Sequence, residues 1–138
     1  MNKFLTAVSL AAALYLMPNA CRNVKEPSAQ RSHIEDVTDS NFQREVLQNN
    51  RPILVNFHTQ WCGVCEQAKP YLESLASEYA NRLDFVSYDA DLGITDENYN
   101  IQGYPTYIIF INGKEAGREL GFDNQAKLED FINKTLHN

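Results

Sequence analysis

The sequence predicts an α/β fold: one mixed β-sheet with helices packed on both of its faces. Three observations carry that expectation. Ile53-Leu54-Val55-Asn56-Phe57 is a continuous apolar run with one amide inside it, as a central strand buried on both faces requires. Helical spacing follows it before the next strand pattern, Phe85 to Tyr88, so the early strands read as parallel. Asn112-Gly113 then separates two strand patterns by the strongest short hairpin signal, so the late strands read as antiparallel.

The fold is expected to begin near His33 with a short strand at Ile34 to Val37. Thr38-Asp39-Ser40 can cap a helix that carries Phe42, Val46 and Leu47 on one face, and Asn49-Asn50-Arg51-Pro52 ends it. After the Ile53 to Phe57 strand, Ala68, Leu72, Leu75, Ala76 and Tyr79 mark a long helix. Pro70 inside that pattern removes a backbone donor and predicts a kink rather than a stop. A polar stretch with a short helix near Thr95 to Tyr99 leads to the clearest strand, Thr106 to Ile111, and Lys114 to Leu120 pairs back against it. Gly121 to Asp123 turns the chain into a last helix with Leu128, Phe131, Ile132 and Leu136 on its apolar stripe.

The 138 residues suit one domain with a real core plus short appendages. A net charge of −6 gives an acidic surface that nucleic acid phosphates would repel, and no basic patch opposes this. Residues 1–20 read as an export signal, with Lys3 followed by fourteen mostly apolar residues, Phe4 to Met17, too short to span a bilayer comfortably. Pro18-Asn19-Ala20 ends that run before Cys21. Three outcomes stand side by side: cleavage after Ala20, cleavage there with lipid attached to Cys21, or an uncleaved anchor. The stretch resembles a bacterial lipoprotein signal in having Ala before a single Cys, and departs from it at Pro18 and Asn19. Residues 21–32 read as a flexible tether, and 33–138 as the domain. The expected location is therefore outside the cytoplasm, in a bacterial periplasm or tethered to a membrane facing it.

Trp61-Cys62-Gly63-Val64-Cys65 stands where a strand gives way to a helix. Two thiols separated by two residues at such a junction make a reversible disulfide switch, because the helix N-terminus favours a thiolate on the first and places the second within bonding reach. Structural zinc would want four ligands, and the chain has neither a second CxxC nor a close His pair, since His33, His58 and His137 are scattered. A purely structural disulfide is disfavoured because so short a loop removes little chain entropy.

From about Ile34 to Leu136 the chain resembles thioredoxin. The Trp-Cys-Gly-x-Cys run, Pro70 in the next helix, Tyr104-Pro105-Thr106 before a strand, Asn112-Gly113, and Gly121 before the last helix fall in that family's order and spacing. The resemblance implies a thioredoxin fold, a thiol–disulfide oxidoreductase that needs no cofactor beyond its Cys62-Cys65 pair, and no metal. It also implies a cis bond at Pro105 facing the active disulfide, where an ordinary trans proline leading a strand is the alternative. By the same resemblance Trp61 and Gly63 shape the rim, Tyr104 offers backbone pairing to an extended client segment beside Pro105, and Thr106 and Gly121 flank that groove. Only 39 residues lie between Cys65 and Pro105, which leaves no space for the helical insertion of the family's dedicated oxidases and favours a reductant or isomerase assistant.

Several positions depart from the family pattern. Val64 stands where proline is usual and restores a backbone N–H. If that N–H stabilises the Cys62 thiolate, the couple is less reducing than the roughly −270 mV of thioredoxin; packing alone is the other reading. Asn56 stands where the family often holds a buried aspartate, and an amide cannot take the Cys65 proton, so deprotonation of Cys65 should slow. Ser87 replaces a lysine often found beside that acid, and His58 replaces a tryptophan, either favouring a thiolate or packing under the loop.

The expected mechanism is attack by the Cys62 thiolate on a protein disulfide and resolution of the mixed disulfide by Cys65. The expected partners are protein disulfide or thiol clients and an exported or membrane dithiol that recharges a monomer. Two rival readings are a binding or Cu(I)-handling module of the same fold, and a stress-protective reductant with no fixed client.

Overall fold

The computed structural model describes residues 33–138, so the export signal, the tether and Cys21 lie outside the described residues. Strand β1 (Glu35–Val37) leads into α1 (Asp39–Phe42), where the Asn41 side chain reaches back to accept from the Thr38 N–H at 2.7 Å. A π-helical stretch, Gln43–Leu47, continues that helix, and Phe42 and Val46 are buried while Leu47 is only partly so. Strand β2 (Ile53–His58) is buried along five of its six residues, and α2 (Gly63–Tyr79) passes through Pro70 without interruption. Strand β3 (Asp84–Asp89), a 3₁₀ turn (Ala90–Leu92) and α3 (Thr95–Asn98) follow. Strands β4 (Thr106–Ile111) and β5 (Lys114–Leu120) and helix α4 (Gln125–His137) complete the fold.

The sheet order is β1-β3-β2-β4-β5. Strands β1 and β2 run parallel to β3, while β4 is antiparallel to β2 and β5 is antiparallel to β4, the mixed arrangement the sequence predicts. The hairpin between β4 and β5 turns on Asn112 at φ 53° and Gly113 at φ 74°, the two positive values a two-residue type I′ connection demands. A Cβ at Gly113 would also run into the Leu47 carbonyl oxygen.

Alternation along the strands splits the core in two. On one face Leu54, Phe85, Tyr107 and Ile109 pack against Ala68, Leu72 and Leu75 of α2 and Leu128 and Ile132 of α4. On the other, Val55, Phe57, Val86, Tyr88 and Phe110 pack against Phe42 and Val46. Because β2 and β3 are parallel, α2 must run back between them, so its first turn sits at the carboxyl end of β2. Ligand and catalytic groups of open α/β sheets gather at such ends.

Candidate active site

Cys62 is the N-cap of α2, with extended backbone angles of φ −87° and ψ 102°. Its carbonyl accepts the Glu66 N–H at 3.2 Å as the first intrahelical bond, and its sulfur accepts the Cys65 N–H at 3.2 Å, so one of the orphan donors of the helix end is satisfied by the Cys62 side chain. Cys62 and Cys65 are joined as a disulfide with Cα atoms 5.2 Å apart. The donor to the Cys62 sulfur is thus Cys65 and not Val64, whose N–H is one residue too early on the first turn.

Cys62 retains 7% of its surface and Cys65 3%. The order of exposure agrees with Cys62 as the attacked sulfur, but the opening is narrower than the sequence suggests, because the cap position folds the side chain back over the helix end. The rim around it is open instead: Trp61 is 75% exposed, Val64 43%, and a Cβ at Gly63 would meet nothing within 4 Å.

Two acids hold that rim, Asp89 at the end of β3 and Asp91 in the 3₁₀ turn after it, and in sequence only a polar stretch marks them. Asp91 accepts the Trp61 indole N–H at 3.1 Å and the Gln60 backbone N–H at 2.8 Å, while Asp89 accepts from the Gln60 side chain at 2.9 Å. Asp39 in turn fixes the segment that follows Asp91. It accepts from the Thr95 hydroxyl, the Tyr88 hydroxyl and the Ile94 and Thr95 N–H groups, and these bonds, Thr95 and Tyr88 foremost, lower its pKa to about 2.

The second wall is the loop before β4. The Tyr104–Pro105 peptide bond is cis. The Tyr104 ring meets Trp61 edge-on, and its hydroxyl donates to Asp96 at 2.7 Å; burial first, then that carboxylate, push its pKa up to about 12. The Thr106 hydroxyl, itself buried, donates to the Gly103 carbonyl at 2.6 Å, and the Gly121 N–H donates to the Pro105 carbonyl at 2.7 Å. Gly121 holds φ 83°, with open space where a Cβ would point. Tyr104, Pro105, Thr106 and Gly121 therefore form one connected wall, joined to the CxxC turn through Trp61.

A redox-active pair at a helix N-terminus, walled by a cis-proline loop on a five-stranded mixed sheet, points to one family, and the comparisons agree. The thioredoxin family model matches residues 33–134. The chain is 37% identical over 101 residues to thioredoxin of Acidithiobacillus ferridurans, covering 72% of this chain and 94% of that protein. It is also 35% identical over 104 residues to thioredoxin C-2 of Corynebacterium nephridii, with 75% and 96% covered, and 31% identical over 104 residues to thioredoxin of Rickettsia prowazekii, with 75% and 99% covered. This chain belongs to the thioredoxin family.

As a thioredoxin-family protein it is a thiol–disulfide oxidoreductase whose working group is its own Cys62-Cys65 pair, with no cofactor required. Among the described residues no group of three or more His, Cys, Asp or Glu side chains could hold a metal ion, and no helix is long and apolar enough to cross a membrane.

The two positions that depart together from the thioredoxin pattern also touch. Asn56 is buried at 6% exposure, and its Nδ2 donates to the Ser87 hydroxyl at 3.2 Å across the β2–β3 pairing. The amide and hydroxyl thus take the place of an acid and a base as a neutral pair. His58 lines a cavity of about 130 Å³ with Asp39, Tyr88, Asp89 and Leu92, and among the described residues it makes no hydrogen bond to either active-site sulfur.

Proposed function

We propose that this thioredoxin-family protein works outside the cytoplasm as a reductant of protein disulfides, recharged by an exported or membrane dithiol and acting as a monomer. The observation that carries the reducing direction is the minimal segment between Cys65 and Pro105. It holds only the rest of α2, β3, a 3₁₀ turn and α3, with no added helical layer over the disulfide to specialise it as an oxidase. The cap geometry supplies the chemistry, since the α2 N-terminus favours negative charge on Cys62 once the disulfide opens.

Export rests on the apolar run Phe4 to Met17, and a lipid tether on Cys21 directly after Ala20. The direction is tested by comparing the rate at which the reduced protein opens a protein disulfide with the rate at which the oxidised protein forms one in an unfolded dithiol client. A reductant is faster in the first assay; a faster second assay overturns the proposal. Export and tethering are tested by cell fractionation and by incorporation of labelled fatty acid, which Cys21→Ala abolishes if that cysteine carries the lipid.

A further inference from the structure

We propose that the Asn56 amide oxygen is the hydrogen-bond acceptor of the Cys65 thiol in the reduced protein, a bond that forms only when the disulfide opens. The first observation is an orphan: Asn56 Oδ1 is buried and has no hydrogen-bond partner while Cys62 and Cys65 are joined. The amide is not free to turn away, because its other end is held by the Ser87 hydroxyl. A buried acceptor without a partner is costly in general, and a redox role is one reason for a native protein to keep one.

The second observation is where that oxygen lies. Asn56 is two residues beyond Leu54 on β2, and Ser87 two beyond Phe85 on β3, so both share the sheet face that Leu54 and Phe85 present to α2. Tyr107 of β4 pairs with Asn56 on the other side and belongs to the same face. On α2, Cys65 stands three and seven residues before Ala68 and Leu72, the spacing of one helical stripe, and those two residues pack on this face. Helix α2 starts at the carboxyl end of β2, so one turn back from Ala68 and one pleat on from Leu54 bring Cys65 and Asn56 together. Cys65 is 3% exposed, which leaves its thiol dependent on the protein for a partner.

The chemistry supplies the donor. When a donor dithiol reduces the protein, its own two sulfurs become a disulfide and it gives up two electrons and two protons. The Cys62–Cys65 bond breaks, and Cys65 Sγ takes one of those protons while the other is left with Cys62 or with solvent. A buried S–H now exists beside a buried, unused carbonyl oxygen. The amide satisfies the thiol and cannot itself take the proton, so it stabilises the protonated, reduced state of Cys65. Its effect is opposite in sign to that of a base: it makes the dithiol easier to form and holds the Cys65 proton more tightly.

This inference rests on Cys62-Cys65 being the working dithiol, and its test does not need a protein client. The full-length protein is reduced, and the S–H stretch of Cys65 is isolated by subtracting the infrared spectrum of Cys65→Ala. In the natural protein this band is expected at lower frequency than in Asn56→Leu, which keeps the branched shape but removes the acceptor. The dithiol/disulfide equilibrium constant against dithiothreitol is expected to fall about fivefold in Asn56→Leu, or roughly 20 mV at the 29.6 mV per tenfold of a two-electron couple. Ser87→Ala, which keeps the oxygen but frees the amide to turn, gives a smaller shift of the same sign and serves if Asn56→Leu does not fold. An S–H band at one frequency in the natural protein and in whichever of these variants folds overturns the inference. A shifted band together with no reduction of protein disulfides overturns the proposed function and leaves the hydrogen bond standing.

Discussion

The indole of Trp61 meets the ring of Tyr104 edge-on, with centroids 6.3 Å apart and planes at 88°. Trp61 ends the turn after β2 and Tyr104 precedes β4, two neighbouring strands, so this contact joins the disulfide to the cis-proline wall. The indole N–H is spent on Asp91, and what remains is a large apolar face open to a client. Trp61→Ala is expected to lower kcat/KM for protein disulfides about tenfold, while global stability falls by only ~1 kcal/mol, the worth of an aromatic pair. Turnover and urea denaturation of the one variant separate the two effects.

Cys62 keeps 7% of its surface and Cys65 3%, an order that agrees with Cys62 as the sulfur attacked first. Cys65→Ala should accumulate a mixed disulfide between Cys62 and a protein client, visible as a dithiothreitol-sensitive band on a non-reducing gel. Cys62→Ala should trap nothing, because Cys65 keeps only 3% of its surface. Equal trapping by both variants would mean that either sulfur can be attacked first.

Asp39 makes the loop beyond β3 sensitive to acid. Its pKa is about 2 when folded against an ordinary 3.8, so the folded state binds fewer protons than the unfolded one. Its contribution is complete above about pH 4 and is lost as pH falls through about 2. Asp39→Asn should therefore flatten the stability profile over that acid window while lowering stability at neutral pH. Thermal melts taken from pH 2 to pH 7 show whether the two curves converge at the acid end.

Gly121 separates backbone strain from crowding. A methyl group there would touch nothing, so the whole cost of Gly121→Ala is the positive φ of 83°, about 1–2 kcal/mol. Asn tolerates this conformation better than Ala, so Gly121→Asn should cost less despite its larger side chain. The reverse ranking in denaturant midpoints would mean that crowding at the groove, not φ, decides.

Most of the fold is legible in the sequence because its signals are local. The Ile53 to Phe57 run, the Asn112-Gly113 turn and the Lys114 to Leu120 return strand become β2, the hairpin and β5 with little change of boundary. Cys62 and Cys65 are legible for the same reason, since their spacing and their place between strand and helix are one stretch of chain. The roles of Asp39, Asp89 and Asp91 are not legible. They act through partners about 30 or more residues away, such as Gln60, Trp61 and Thr95, and in sequence they are only polar residues at the ends of elements. Val64 shows the opposite limit: its N–H is legible in the sequence, but only the turn geometry decides that Cys65 is the donor to the Cys62 sulfur.

Exchange of the Cys62–Cys65 bond with protein disulfides is measured most directly by the rate at which a protein disulfide is reduced by excess dithiothreitol with and without catalytic amounts of this protein. Clear acceleration by the natural protein and none by Cys62→Ala is expected; equal rates with and without the natural protein would mean that the pair does not turn over.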